Sequence, residues 1–161
     1  MSSVDVDPNE HGPAEHRAAE EHRAAEIARR TADAMQRADV AGREAGVRLL
    51  EVGAGRVRVG MTVEARHVNG HGICHGGYVF LLADAAFAYA CNSYGRSAVA
   101  AGADITFLRP VPLGAELRAD AVERARTGRS GLYDVTVRVG GEVVAEFRGR
   151  SREVPGLAAP T

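Results

Sequence analysis

Lysine is absent from this chain, and all 20 residues of the lysine and arginine class are arginine. The absence excludes a lysine Schiff base, and any basic side chain that holds a phosphate must be an arginine. Cysteine is scarce: the chain has only Cys74 and Cys91. Two cysteines cannot form the disulfide framework typical of extracellular proteins. The formal net charge is -1, which removes the electrostatic case for a nucleic acid or an anionic membrane as a partner.

Long hydrophobic runs are also missing. The longest apolar stretch, residues 76–91, is too short for a comfortable membrane span and contains Asp84. Residues 1–10 are polar and acidic, so we expect no secretory signal. The sequence therefore predicts a cytoplasmic enzyme or binding protein without a membrane partner.

Composition and periodicity divide the chain into four parts. A doubled Glu-His-Arg-Ala-Ala-Glu unit favours a helix, and its thin alanine stripe favours a solvated extension over a partner-binding helix. This helix is predicted to run to about Arg43, with Gly46 marking its end. The predicted parts are a disordered N-terminus (1–13), a helical extension (14–29), a folded domain (30–153) and a flexible tail (154–161).

Within the folded domain, apolar and polar residues alternate with the period of β-strands. The predicted strand segments are 57–63, 97–108, 115–121, 133–139 and 143–147. The pair Gly140-Gly141 between the last two segments indicates a tight hairpin. Strands joined by short turns around one apolar helix make an α+β domain, and no βαβ repeat supports a doubly wound fold.

The apolar helix begins at a glycine pair and carries one carboxylate. His75-Gly76-Gly77 precedes a helix-forming run that contains Asp84. Unpaired N–H groups at the start of a buried helix can stabilise an oxyanion. An ionised carboxylate is costly in apolar surroundings, so Asp84 is either a catalytic base or a structural group held by backbone donors or an arginine. The glycine pair favours the base, and the two features together are half of an acyl-transfer site.

The spacing of these two features indicates a site shared between subunits. Gly77 and Asp84 are seven residues apart, which places them on nearly the same helix face and about 10 Å apart along the axis. An oxyanion donor must lie about 3 Å from the reacting oxygen, and a base must reach the adjacent carbon or a water beside it. One helix therefore cannot apply both groups to one small carbonyl. A symmetric pair can, with the glycine end of one helix facing the carboxylate of the other.

Two rival sites lie in the segment before the helix. Three histidines recur every four residues (His67, His71 and His75), a zinc-ligand spacing on a helix, but the glycines around them disfavour a helix. Cys74 could be a thiol nucleophile beside His75, but adjacent residues rarely have the required geometry and no third group orients the histidine. We therefore expect no metal site, and Cys91 is interpreted as a core residue.

These residues resemble the PaaI-type hotdog-fold acyl-CoA thioesterases, the phenylacetate-degradation branch. The resemblance covers about residues 30–152 and leaves out the doubled N-terminal unit. Its most specific part is the combination of His-Gly-Gly, Leu-Ala-Asp and Asn-Ser. The matching segments are 67–77, 80–93, 105–110, 133–135 and 144–149.

The resemblance implies a curved antiparallel sheet wrapped around the apolar helix, in subunits that pair into dimers and assemble as tetramers. It implies that the amides of Gly76 and Gly77 polarise the thioester carbonyl, and that Asp84 of the partner subunit activates water or attacks directly. Asn69 would position the nucleophile or the carbonyl, and His75 would shape the turn.

The resemblance also implies an acyl-CoA substrate, either phenylacetyl-CoA or a ring-hydroxylated relative, and no cofactor. Arg109 and the end of its strand would lie near the path of coenzyme A. The residues expected to contact substrate or coenzyme A are Tyr78, Phe80, Thr106 and Arg109, and Phe87 and Tyr94 are further candidates for the pocket lining.

Two other functions stay open. A hotdog dehydratase acting on a 3-hydroxyacyl thioester would need a histidine base, and the position of His75 immediately before the glycine pair argues against it. A non-catalytic acyl-CoA-binding module would bind the thioester without releasing thiol. The substitution Asp84→Asn separates these readings, because only the thioesterase loses thiol release.

Overall fold

The computed structural model describes residues 13–157. Most of the predicted disordered N-terminus, and residues 158–161 of the predicted flexible tail, lie outside the described residues. The elements in chain order are α1 (Pro13–Ala38), α2 (Val40–Glu44), β1 (Arg48–Gly53), β2 (Arg56–Thr62), a single 3-10 turn (Ala65–His67), α3 (Gly76–Asn92), β3 (Ala98–Phe107), β4 (Glu116–Thr127), β5 (Ser130–Val139) and β6 (Glu142–Glu153).

The N-terminal helix is interrupted at Asp39, where the sequence predicted one helix to about Arg43. Asp39 leaves the helical conformation, and its carboxylate accepts a hydrogen bond from the N–H of Gly42 at 2.9 Å. Aspartate is among the strongest N-cap residues, so it starts the short helix α2 instead of continuing α1. The prediction of a continuous helix is wrong, whereas Gly46, with φ of 79°, does reverse the chain just after α2.

The six strands form one antiparallel sheet in the order β1-β2-β4-β5-β6-β3. The Gly140-Gly141 hairpin joins β5 to β6, as predicted, with Val139 opposite Glu142. Strand β3 lies at the far edge of the sheet and pairs with β6. Strand β1, which the sequence did not single out, is only partly buried along its length and so lacks a clear alternation.

Helix α3 is the centre of the core and packs against β2, β4 and β5. Helix α3 is far more apolar than α1, and among residues 13–157 no helix combines the length and hydropathy needed to cross a bilayer. The sheet wraps closely around it: a Cβ on Gly149 would lie 2.6 Å from the ring of Phe87, so only glycine admits the ring there. The sheet residues fully buried against α3 include Val59, Met61, Leu117, Ala119, Val135, Val137 and Ala145. The predicted α+β class and central helix are confirmed.

Candidate active site

The segment before α3 is held in a tight turn by Asn69. Its Oδ1 accepts from the N–H of His71 at 2.9 Å, and its own N–H donates to the carbonyl of Ile73 at 2.8 Å. The N–H of Cys74 donates to the carbonyl of Val111 at 2.8 Å, which ties the turn to the segment after β3. The turn therefore fixes the start of α3. The side-chain Nδ2 of Asn69 is left without a hydrogen-bond acceptor within residues 13–157.

The first turn of α3 leaves one amide open. His75 is the N-cap residue, and its Nδ1 accepts from the N–H of Gly77 at 3.1 Å. The N–H of Gly76 has no acceptor in the described part of the chain. Of the two amides that the sequence offered as oxyanion donors, that of Gly77 is already paired, and that of Gly76 is free at the positive end of the helix dipole.

Asp84 lies two helical turns further along α3 and is half-buried. None of the residues 13–157 donates a hydrogen bond to its carboxylate or forms an ion pair with it, so the reading of Asp84 as a structural group held by donors is not supported. Burial raises the pKa of Asp84, and the nearby charge of Asp39 raises it further. A half-buried carboxylate without a compensating partner lowers the stability of the fold. Such an unfavourable placement is typical of a residue kept for function.

The rival cysteine has the wrong chemistry for a nucleophile. Cys74 is buried, and burial raises the pKa of its thiol. A nucleophilic thiol needs a lowered pKa and access to substrate. Cys91 is buried in the core, where desolvation raises its pKa to about 12, with the charge of Asp84 adding to the effect.

The rival histidines do not converge. His67 is fully buried, its Nδ1 accepts from the N–H of Glu64 at 3.0 Å, and its ring lies 4.6 Å from that of Tyr78. His75 is exposed and caps the helix. Among the residues that the structure describes, no three His, Cys, Asp or Glu side chains come together as a metal site.

The predicted contacts to substrate divide into two groups. Near the start of α3, Tyr78 and Phe80 are half-buried, and Phe80 packs edge-on against Phe147 at 5.4 Å. The exposed Arg109 donates from its guanidinium to the carbonyl of Val143 at 2.7 Å and lies 3.7 Å from Glu142.

The two further candidates for the pocket lining lie elsewhere. The ring of Phe87 is buried between Tyr133 and Phe147, at 5.6 and 5.8 Å. Tyr94 follows the opposite end of α3, 3.8 Å beneath the guanidinium of Arg126.

Thr106, which the sequence predicts as a contact to substrate or coenzyme A, points away from the start of α3 within one subunit. Side chains alternate along a strand, and the ring of Phe107 lies on the α3 side, because a Cβ on Gly76 would meet that ring at 3.0–3.4 Å. Thr106 therefore faces the other side of the sheet, where Glu146 is its partner across the strands. Within one subunit Phe107, and not Thr106, reaches the start of α3. The alternation of Ile105 and Phe107 is the only sequence signal that could have shown this.

The arrangement contains a candidate oxyanion donor and a candidate base, but they do not lie at one place. Gly76 and Asp84 are eight residues apart in one unbroken helix, which corresponds to about 12 Å along its axis. Such a pair can act on a carbonyl only if a second copy of the helix completes the site.

Comparison with known proteins identifies the family of this chain. Residues 71–146 match the model of the Thioesterase superfamily. The chain is 44% identical over 126 residues to the acyl-coenzyme A thioesterase PaaI of Escherichia coli strain K12, covering 78% of this chain and 90% of that protein.

Solved structures agree with this relationship. The E. coli PaaI protein from the phenylacetic acid degradation operon aligns with a TM-score of 0.80 at 41% identity, over 82% of this chain and 96% of that one. A Streptococcus mutans UA159 protein bound to acetyl CoA aligns with a TM-score of 0.65 at 27% identity, over 67% of this chain and 88% of that one. The hotdog fold is confirmed, and the enzyme is a thioester hydrolase. The chain belongs to the Thioesterase superfamily and, within it, to the PaaI-type acyl-CoA thioesterases.

Proposed function

We propose that this protein hydrolyses phenylacetyl-CoA or a ring-hydroxylated phenylacetyl-CoA to the free acid and coenzyme A. The observation that carries the proposal is a single helix whose Gly76 amide and half-buried Asp84 carboxylate have no partner in residues 13–157. The name of the E. coli relative supports coenzyme A as the carrier, and the operon of its solved structure supports a phenylacetyl group.

In the proposed reaction, the N–H of Gly76 donates to the thioester carbonyl oxygen and stabilises the negative charge that develops there. Asp84 accepts a proton from a water that attacks the carbonyl carbon, or attacks the carbon itself to form an anhydride that water then opens. The carbon–sulfur bond breaks and coenzyme A leaves as a thiolate. A thiol of pKa about 8.5, by analogy with cysteine, needs no strong general acid to depart. An oxyanion donor and one carboxylate therefore suffice.

The proposed site joins two subunits through the β3 edge. One side of β3 has no partner strand among residues 13–157, and its Val99 and Phe107 are 43% and 52% exposed. An unpaired strand edge is a template for pairing with another chain. A dimer formed there would continue the sheet from one subunit into the other.

Helix α3 carries a second surface suited to the same dimer. Gly77, Leu81, Asp84 and Ala88 are spaced as one helix stripe, and each is at least partly exposed, whereas the rest of the helix is largely buried. A two-fold axis beside this stripe would place the carboxylate of Asp84 opposite the start of the partner's helix.

The remaining residues have supporting roles in the proposal. Asn69 would use its free Nδ2 to hold the carbonyl or the attacking water, and His75 fixes the first turn of α3. Tyr78 and Phe80 would contact the acyl group, and the exposed guanidinium of Arg109 would contact coenzyme A. The amide of Gly77 would join the oxyanion hole only if His75 released it.

A thiol-release assay over a panel of acyl-CoAs tests the substrate. We expect the highest kcat/KM for phenylacetyl-CoA or its hydroxylated forms, with acetyl-CoA and hexanoyl-CoA as comparison substrates. An equal or higher value for hexanoyl-CoA would contradict the proposed acyl group. Binding of every panel member without thiol release would contradict hydrolysis altogether.

Asp39→Asn is expected to shift the acidic limb of the pH–kcat/KM profile to lower pH. Asp84 must be ionised to act as the proposed base. Burial raises the pKa of Asp84, and the negative charge of Asp39 raises it further. Removal of the Asp39 charge therefore lowers the pKa of Asp84 and favours its ionised form. Asparagine is as good an N-cap as aspartate, so α2 should be retained. An unchanged profile in Asp39→Asn, at unchanged melting temperature, would show that the limb does not report Asp84.

A further inference from the structure

We propose that Phe107 is a positioning residue for the amide of Gly76, an inference that rests on the proposed function. The far edge of the Phe107 ring lies closest to Gly76. A Cβ added to Gly76 would lie 3.0 Å from the Cζ of Phe107 and 3.3 and 3.4 Å from its two Cε atoms. The ring therefore occupies the space that a side chain at residue 76 would need. Glycine at this position gives the ring access to the backbone that carries the open N–H.

Both sides of this contact are anchored. Phe107 is the last residue of β3 and pairs with Ala145 of β6, and the next two N–H groups along the chain both donate to the carbonyl of Val144, at 2.8 and 3.2 Å. On the other side, the capping bond from Gly77 to His75 holds the first turn of α3. A ring between two fixed backbones can hold the direction of the Gly76 N–H, whereas a loose helix start would let it vary.

Packing within the core of one subunit does not explain the position of the Phe107 ring. It is 52% exposed, against 1% for Phe87 and 2% for Phe147. A half-exposed ring contributes correspondingly less to stability through burial. The ring fills the space beside the Cα of Gly76 and so keeps water from that side of the residue. A donor in a drier environment interacts more strongly with a developing oxyanion.

A double-mutant cycle with Gly76→Ala tests the proposal. Gly76→Ala keeps the N–H and has no positive φ to strain, but its Cβ displaces the ring. We expect Phe107→Ala to lower kcat about 10-fold with KM within about threefold, and equally for acetyl-CoA and phenylacetyl-CoA. Gly76→Ala should lower kcat to a similar extent. The double variant should lose little more than either single variant, because each change removes the same contact.

Three results would overturn this role. Additive losses in the double variant would mean that the two residues act separately. A change confined to KM, or confined to one acyl group, would make Phe107 a substrate contact instead. A lowered melting temperature with unchanged kcat would make it a structural residue. Leu50→Ala, which truncates a 44% exposed apolar side chain on the opposite edge strand, is the matched control and should leave kcat unchanged.

A spectroscopic measurement separates failure of this inference from failure of the proposed function. In protein labelled with [¹⁵N]glycine, the amide resonance of Gly76 should shift in Phe107→Ala and not in Leu50→Ala, because an aromatic ring next to an amide changes its field. Absence of that shift overturns the contact whatever the enzyme hydrolyses. Wild-type hydrolysis by Asp84→Asn would instead overturn the proposed site, with the ring contact intact.

Discussion

Asp84→Asn is expected to lower kcat for phenylacetyl-CoA hydrolysis by about 10²–10⁴-fold, with KM within about threefold. Asparagine keeps the size of the side chain but can neither accept the proton from water nor attack the carbonyl. Since Asp84 has no hydrogen-bond or ion-pair partner within residues 13–157, the substitution breaks no structural bond there. Thiol release under steady-state conditions measures the effect. Asp33→Asn, which removes a carboxylate from α1, is the control and should leave kcat unchanged.

The same variant should be more stable than the wild type at neutral pH, with a melting temperature higher by about a few degrees. Burial raises the pKa of Asp84 in the folded state above the ordinary value of 3.8, so the unfolded state gives up its proton first as the pH rises. The folded state then binds more protons than the unfolded state, and stability falls with rising pH. The difference between variant and wild type should therefore vanish below about pH 3.8. A less stable but folded Asp84→Asn protein at pH 7 would show that the carboxylate has a structural partner.

The strands and α3 could be predicted because burial imposes a period on the sequence. Segments 57–63 and 133–139 alternate since one face of β2 and of β5 packs on α3. The prediction failed where burial is weak or local bonding competes. Strand β1 is only partly buried, so its residues do not alternate clearly. Asp39 ends α1 by capping α2, and the spacing of apolar residues carries no signal of that break.

The candidate site divides in the same way. Gly76, Gly77 and Asp84 share one helix, so sequence spacing alone placed them relative to one another. Whether His75 caps Gly77 and leaves Gly76 open depends on a side-chain rotamer. The choice between residues 106 and 107 depends on which face of β3 meets the helix, and a shift of one residue in a strand exchanges the faces.

Gly76→Pro is expected to lower kcat by about 10²–10³-fold relative to Gly76→Ala. Gly76 is the first residue of α3, where proline fits the helix, and its N-cap, His75, already has the extended conformation that a residue before proline prefers. Proline therefore removes the proposed oxyanion donor without breaking the helix. Gly76→Ala is the matched control, because it adds a Cβ against Phe107 and keeps the N–H. Equal activity of the two variants would show that the amide has no catalytic role.

Mixing Gly76→Pro with Asp84→Asn tests whether the site is shared. Each variant alone has two defective sites per dimer. In a mixed dimer, Gly76 of the Asp84→Asn chain meets Asp84 of the Gly76→Pro chain, so one site is intact and the other has both defects. Random exchange makes about half of the dimers mixed, so activity should return to about a quarter of the wild-type value.

If the amide and the carboxylate of one chain served the same site, no mixture could contain an intact site, and activity would stay at the level of the separate variants. Refolding the two chains together with different affinity tags, and assaying the doubly tagged fraction, decides between these outcomes.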